Sequence, residues 1–118
     1  MSYLTITRGD DETLDIVVTD QATGTVVDLT GAALKWMAKR RPNDADADAL
    51  ITATIGVGVT VTSAVGGVAE VAIAAADTDG ITPGAYWWEL QSVDATSKVH
   101  TLSGGRLAIL SDLIRTGV

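Results

Sequence analysis

Apolar and polar residues alternate with a period of two along most of this chain, and turn residues interrupt the alternation at short intervals, a pattern that predicts many β-strands. Residues 3–7 alternate and run into Arg8-Gly9-Asp10-Asp11, a turn. Over residues 13–19, Leu14, Ile16 and Val18 share one face while Asp15, Val17 and Thr19 share the other. Gln21-Ala22-Thr23-Gly24 predicts a hairpin turn, residues 25–29 a short return strand, and Thr30-Gly31 its end. Residues 33–39 place Leu34, Trp36 and Ala38 inward and Lys35, Met37 and Lys39 outward. A polar loop, 40–49, precedes two strands at 50–55 and 57–62 that Gly56 divides. Gly66-Gly67 turns into a strand at 68–73, with Val71 and Ile73 on the face opposite Glu70, and residues 74–79 predict one helical turn. After a strand at 86–93 and a turn at Asp94-Ala95-Thr96-Ser97, residues 98–102 and 106–110 form one last strand, with a bulge expected at Ser103-Gly104-Gly105.

The stretch Asp79-Gly-Ile-Thr-Pro-Gly-Ala-Tyr-Trp-Trp-Glu-Leu90 narrows the architecture. Pro83 and Gly84 predict a turn, since Pro presets φ and Gly tolerates positive φ. In the strand that follows, Tyr86, Trp88 and Leu90 share one face, and Trp87, Glu89 and Gln91 the other. A Tyr two residues before a buried strand position is the layout of a tyrosine corner, and Trp36 stands where an immunoglobulin sandwich keeps its core Trp. The fold expected is therefore all-β: an immunoglobulin-like antiparallel β-sandwich of 7–9 strands over residues 1–110, with a short C-terminal tail at 111–118.

Length and composition agree with that reading. At 118 residues with 47% hydrophobic content, the chain is one domain with enough apolar surface for a core. A net charge of −7 argues against a nucleic-acid partner, because phosphate binding leans on Lys and Arg. Lys39-Arg40-Arg41 is balanced by Asp44, Asp46 and Asp48 just downstream. With no Cys, disulfides and thiolate metal sites are excluded, and maturation in a reducing compartment fits. The N-terminus lacks a signal-peptide pattern and no apolar run reaches the length of a membrane span, so neither secretion nor a membrane partner is expected.

Several short motifs then point to a family. Asp28-Leu29-Thr30-Gly31-Ala32 before a strand with a Trp and a Lys, Ile6-Thr7-Arg8-Gly9-Asp10, Pro83-Gly84-Ala85-Tyr86, and Leu102-Ser103-Gly104-Gly105-Arg106-Leu107 occur in order along nearly the whole chain. Together they resemble the immunoglobulin-like N-terminal domain of siphophage baseplate upper proteins and related virion domains of tailed bacteriophages. The resemblance implies a structural virion protein, assembled in the host bacterial cytoplasm, that docks onto other tail, baseplate or capsid proteins and forms homo-oligomers in the particle. In baseplate upper proteins a receptor-binding or linker region follows this domain, whereas this sequence stops at Val118. A free-standing adaptor or a capsid-surface decoration protein is therefore the alternative expectation.

Candidate chemistry is sparse. Asp44, Asp46 and Asp48 alternate like the start of a calcium loop, but Ala49 and Ile55 fall where an EF-hand needs Gly and a bidentate Glu, so a solvated acidic loop is expected and no metal or other cofactor. Arg8-Gly9-Asp10 spells an adhesion tripeptide and reads more simply as a strand-ending turn. His100 is the sole histidine, Ser97 and Ser103 lack a nucleophile motif, and Glu70 and Glu89 could face each other only on solvated faces; no enzyme is expected. Trp87 is different: a large aromatic on a polar strand face is a preferred interface residue, with Met37 expected beside it. Leu113 and Ile114 in the tail are further interface candidates. A carbohydrate- or receptor-binding module, using Trp87 as a stacking platform, is the rival class.

Overall fold

Period-two alternation translates directly into burial. Leu34, Trp36 and Ala38 are buried, as are Ile16 and Val18, Val71 and Ile73, and Tyr86, Trp88 and Leu90, while the residues between them face outward. The computed structural model describes residues 2–19, 23–93 and 96–111. Among these run β1 (Ser2–Thr7), β2 (Glu12–Val17), β3 (Ala33–Lys39), β4 (Ile51–Ile55), β5 (Gly58–Ser63), β6 (Val68–Ile73), the one-turn helix α1 (Ala75–Thr78), β7 (Gly84–Val93) and β8 (Val99–Leu110).

Hydrogen bonds link the strands in the order β1-β8-β7-β3-β4-β5-β6-β2. The β4–β5 link is not an ordinary pairing. Its partners, Thr54 with Gly58 and Ile55 with Val59, lie four residues apart in the chain, whereas true parallel neighbours need a crossover of about a dozen residues or more. It is a tight turn, closed by the Val57 N–H to the Thr54 carbonyl and the Gly56 N–H to the Val59 carbonyl. The chain there leaves one sheet for the other, as corner strands do. The result is a sandwich of β1-β8-β7-β3-β4 against β5-β6-β2, with one hydrophobic cluster drawn from both layers. Pairing of β2 with β6 and of β3 with β7 places consecutive strands in opposite sheets, the Greek-key logic of an immunoglobulin-like fold. One pairing departs from the antiparallel expectation: β1 runs parallel to β8, Ser2 opposite Gly105 through Thr7 opposite Leu110. Because the turn after β1 sends the chain into the opposite sheet, β1 has no hairpin partner and lies along the last strand instead.

At the centre, Trp36 and Trp88 stack with ring centroids 6.5 Å apart and an interplanar angle of 23°. Neither indole N–H meets an acceptor among the described residues. Each such buried donor costs about 1–3 kcal/mol, set against a comparable or larger gain from burying the ring. The tyrosine corner is present: the Tyr86 hydroxyl donates to the Thr82 carbonyl four residues upstream. The turn comes earlier than expected, however. Ile81 N–H bonds to the Thr78 carbonyl, and Gly84 is already in β7 opposite Ile109 and is not among the glycines with positive φ.

Two further expectations change. Residues 25–29 form no strand; Val26 makes an isolated bridge to Thr19, Val27 donates to the Val18 carbonyl, and Leu29 donates to the Ala64 carbonyl. The backbone donors of this segment are split between the end of β2 and the β5–β6 turn, so no ladder builds. Gly67 lies under it at φ 68, and a Cβ there would stand 2.7 Å from the Val27 carbonyl oxygen and 2.9 Å from that of Val18. The bulge in β8 sits at Leu102 rather than at the glycines: Leu90 faces Ser103, but Gln91 faces Thr101.

Truncating either stacked indole, Trp36→Ala or Trp88→Ala, is expected to cost about 3–5 kcal/mol, read as a fall in the urea midpoint at unchanged m-value. Tyr86→Phe removes only the corner hydrogen bond and should cost about 0.5–1.5 kcal/mol in the same measurement.

Candidate functional site

The outer face of the larger sheet is built by the residues that the core leaves over. With Trp88 and Leu90 inward, Trp87 and Glu89 must point outward from β7; with Trp36 and Ala38 inward, Lys35, Met37 and Lys39 must do so from β3. Register sets the neighbours. Met37 lies opposite Glu89 and Lys39 opposite Trp87, and on the other side Arg106 of β8 lies opposite Trp87. The predicted pair Trp87 and Met37 thus share this face, two residues apart in register, and line a groove of about 610 Å³ whose walls include Lys39, Pro42 and Glu89 and reach Val17 and Thr19 at the end of β2. Leu113 and Ile114 lie outside the described residues.

Trp87 is half-buried rather than open. The Arg106 guanidinium lies over its ring, 4.5 Å from the centroid. Such a contact is worth about 0.5–1 kcal/mol at an exposed site. Arg106 was not anticipated from the sequence, because its place opposite Trp87 depends on the bulge at Leu102. Were Leu102 paired with Leu90 instead of bulged, the β7–β8 register of Gln91 with Thr101 would continue and set Gly105 against Trp87. Around the pair, Thr101 donates its hydroxyl to Glu89 Oε1 at 2.9 Å, and Lys39 Nζ donates to Asp46 Oδ1 at 2.7 Å and to the Asp44 carbonyl at 2.9 Å.

The other motifs take definite places in the fold. Asp46 serves Lys39 in an ion pair, and Asp44 Oδ2 accepts the Arg41 N–H, so the acidic loop is tied to the end of β3. The Asp46 carboxyl is held below the usual aspartate range by the hydrogen bond from Lys39 and then by its charge, with Lys35 adding a smaller pull. No three metal-ligating side chains cluster among the described residues. In Arg8-Gly9-Asp10 the Arg side chain is buried, Gly9 has φ 80, and the Gly9 N–H donates to Thr78 Oγ1 at 2.9 Å. The tripeptide is a clasp between the β1–β2 turn and α1. Glu70 and Glu89 belong to different sheets; Glu70 stands between Asp15 and Thr60. His100 is exposed near the start of β8. Asp28 accepts both the Thr30 N–H at 2.9 Å and its hydroxyl at 2.6 Å, a local turn that feeds β3.

No family model matches the chain, and no curated protein matches it. Among solved structures it is similar to murine CRIg, at 13% identity, with 93% of this chain and 92% of that chain covered and a TM-score of 0.44.

Two measurements check the geometry of this face. Arg106→Ala should uncover the Trp87 ring, shifting part of the tryptophan emission to the red while costing no more than about 1 kcal/mol. In a carboxyl NMR titration Asp46 should protonate below the ordinary aspartate range and move up toward it in Lys39→Met. Because its folded-state pKa is depressed, whatever stability the pair adds is present above the unfolded pKa and is lost as pH falls through the folded one.

Proposed function

We propose that this protein is a non-enzymatic structural component of a bacteriophage particle, docking onto neighbouring virion subunits through the outer face of its larger sheet. The observation behind the docking site is Trp87 and Met37 together on an outward strand face among Lys35, Lys39, Glu89 and Arg106. An aromatic backed by an Arg is the composition that dominates interface hot spots. Support for the particle comes from the four motifs that resemble siphophage virion domains. Each maps to a position that shapes the sandwich: the β1–β2 clasp, the Asp28 turn, the tyrosine corner and the bulged centre of β8. A tail or baseplate adaptor is the first reading and capsid-surface decoration the second.

A glycan-binding module is the less favoured class on one specific observation. Arg106 already lies over the Trp87 ring, where it competes with a stacked sugar for that indole.

The test is Trp87→Ala introduced into the phage that encodes the chain. The variant should remain folded, with the Trp36–Trp88 near-UV signal and urea midpoint within about 1 kcal/mol of the parent, yet purified particles should lack it or carry it at reduced copy number. Full incorporation of a folded Trp87→Ala chain would overturn the docking site.

A further inference from the structure

The strands of the two outer faces carry opposite charge, and each holds an electrostatic element that no described residue answers. On the larger sheet, Lys35, Lys39 and Arg106 outnumber Glu89. Lys39 is committed to Asp46, but no carboxylate among the described residues pairs with Arg106. A guanidinium held over an indole keeps in-plane N–H donors suited to a carboxylate. On the smaller sheet, β2, β5 and β6 contain no Lys or Arg, and Asp15 and Glu70 stand directly opposite each other in register. Like charges so placed repel, and no cation among the described residues relieves them.

We propose that the partner at the Trp87 face is a second copy of this chain, whose Asp15–Glu70 pair docks against Arg106. This rests on the docking reading above and names its occupant. The contact joins two different surfaces, so it is heterologous: the pair still offers one free face of each sign, one on each copy, and copies stack into a row or close into a ring. Its size sets its strength. Three strands about 4.8 Å apart and about 20 Å long give a face on the order of 300 Å². Twice that is well below the roughly 1,200–2,000 Å² of a stable complex, so the contact is weak in free solution. It gains force where a particle holds copies at high effective concentration.

Sedimentation equilibrium tests this. The wild-type chain should show a weight-average mass rising above 12.2 kDa as concentration approaches about 1 mM, and reverting toward the monomer at about 1 M salt, where the Debye length is about 3 Å. Arg106→Glu and the double variant Asp15→Asn/Glu70→Gln should each lower the association constant at least tenfold, with near-UV circular dichroism confirming that both fold. Mixed in equal amounts, they should form 1:1 dimers and nothing larger, because only one intact basic face and one intact acidic face remain per pair. A wild type that stays monomeric throughout, association that survives either variant, or a mixture that stays monomeric would each overturn the proposal. Loss of Trp87→Ala from particles alongside a strictly monomeric chain would leave the docking reading standing and remove only the copy-to-copy contact. Self-association alongside normal incorporation of Trp87→Ala would do the reverse.

Discussion

The stacked pair of Trp36 and Trp88 is the contact from which the rest of the molecule takes its orientation. Each indole comes from the central part of a neighbouring strand in the larger sheet, and both are sealed against the smaller one. Once Trp88 is inward, the pleat leaves Trp87 no choice but to face out. Once Trp36 is inward, Met37 follows by the same rule. The outward face is thus a by-product of core packing, and its composition is what a search for function has to explain. The two buried indole N–H groups make the cost of the arrangement visible, and the tyrosine corner secures the strand that bears Trp88 by tying Tyr86 back to Thr82.

A second constraint decides who meets whom across that face. Before the bulge, the even-numbered His100 shares the face of buried Ser92, though it is itself exposed at the strand's start; after it, the odd-numbered Gly105, Leu107 and Ile109 are the buried ones. A strand without Leu102 as its extra residue would carry the first parity throughout and point Arg106 into the core beside Tyr86. A one-residue slip reverses every side chain. The bulge reconciles the register imposed at the β7–β8 turn with the apolar pattern of the strand's second half. It also brings Arg106 over Trp87. Gly105, opposite Trp88 on the core side, adds no side chain to compete with the indole.

Most of this architecture was legible in the sequence because alternation and turn chemistry are local. Residues 33–39 and 68–73 read as strands over their observed extents, and the Tyr86/Trp88 against Trp87/Glu89 split followed from parity alone. What escaped was non-local. The parallel docking of β1 on β8 depends on a partner about a hundred residues away. The failure of residues 25–29 to become a strand depends on carbonyls offered by Val18 and Ala64. The cover over Trp87 depends on a bulge whose position glycine content misplaced by a residue or more. The acidic loop and the Arg8-Gly9-Asp10 turn were legible as a loop and a turn, but their partners, Lys39 and Thr78, come from tertiary placement.

Charge polarity across the sandwich connects these points to function. A chain with net charge −7 could distribute its acids evenly and remain merely soluble. Here the strands of the smaller sheet carry only acids among their charged residues, and the outer face of the larger sheet carries three cations, two of which, Lys39 and Arg106, flank Trp87. Fold stability does not require this division, since single exposed charges contribute at most about 1 kcal/mol each. The arrangement even places Asp15 against Glu70, which isolated stability would disfavour. Surface features that cost the free subunit something, while matching a complementary feature elsewhere on the same surface, are what an assembling subunit needs. The core sets the two charged faces on different sheets, the arrangement that the proposed copy-to-copy contact would use.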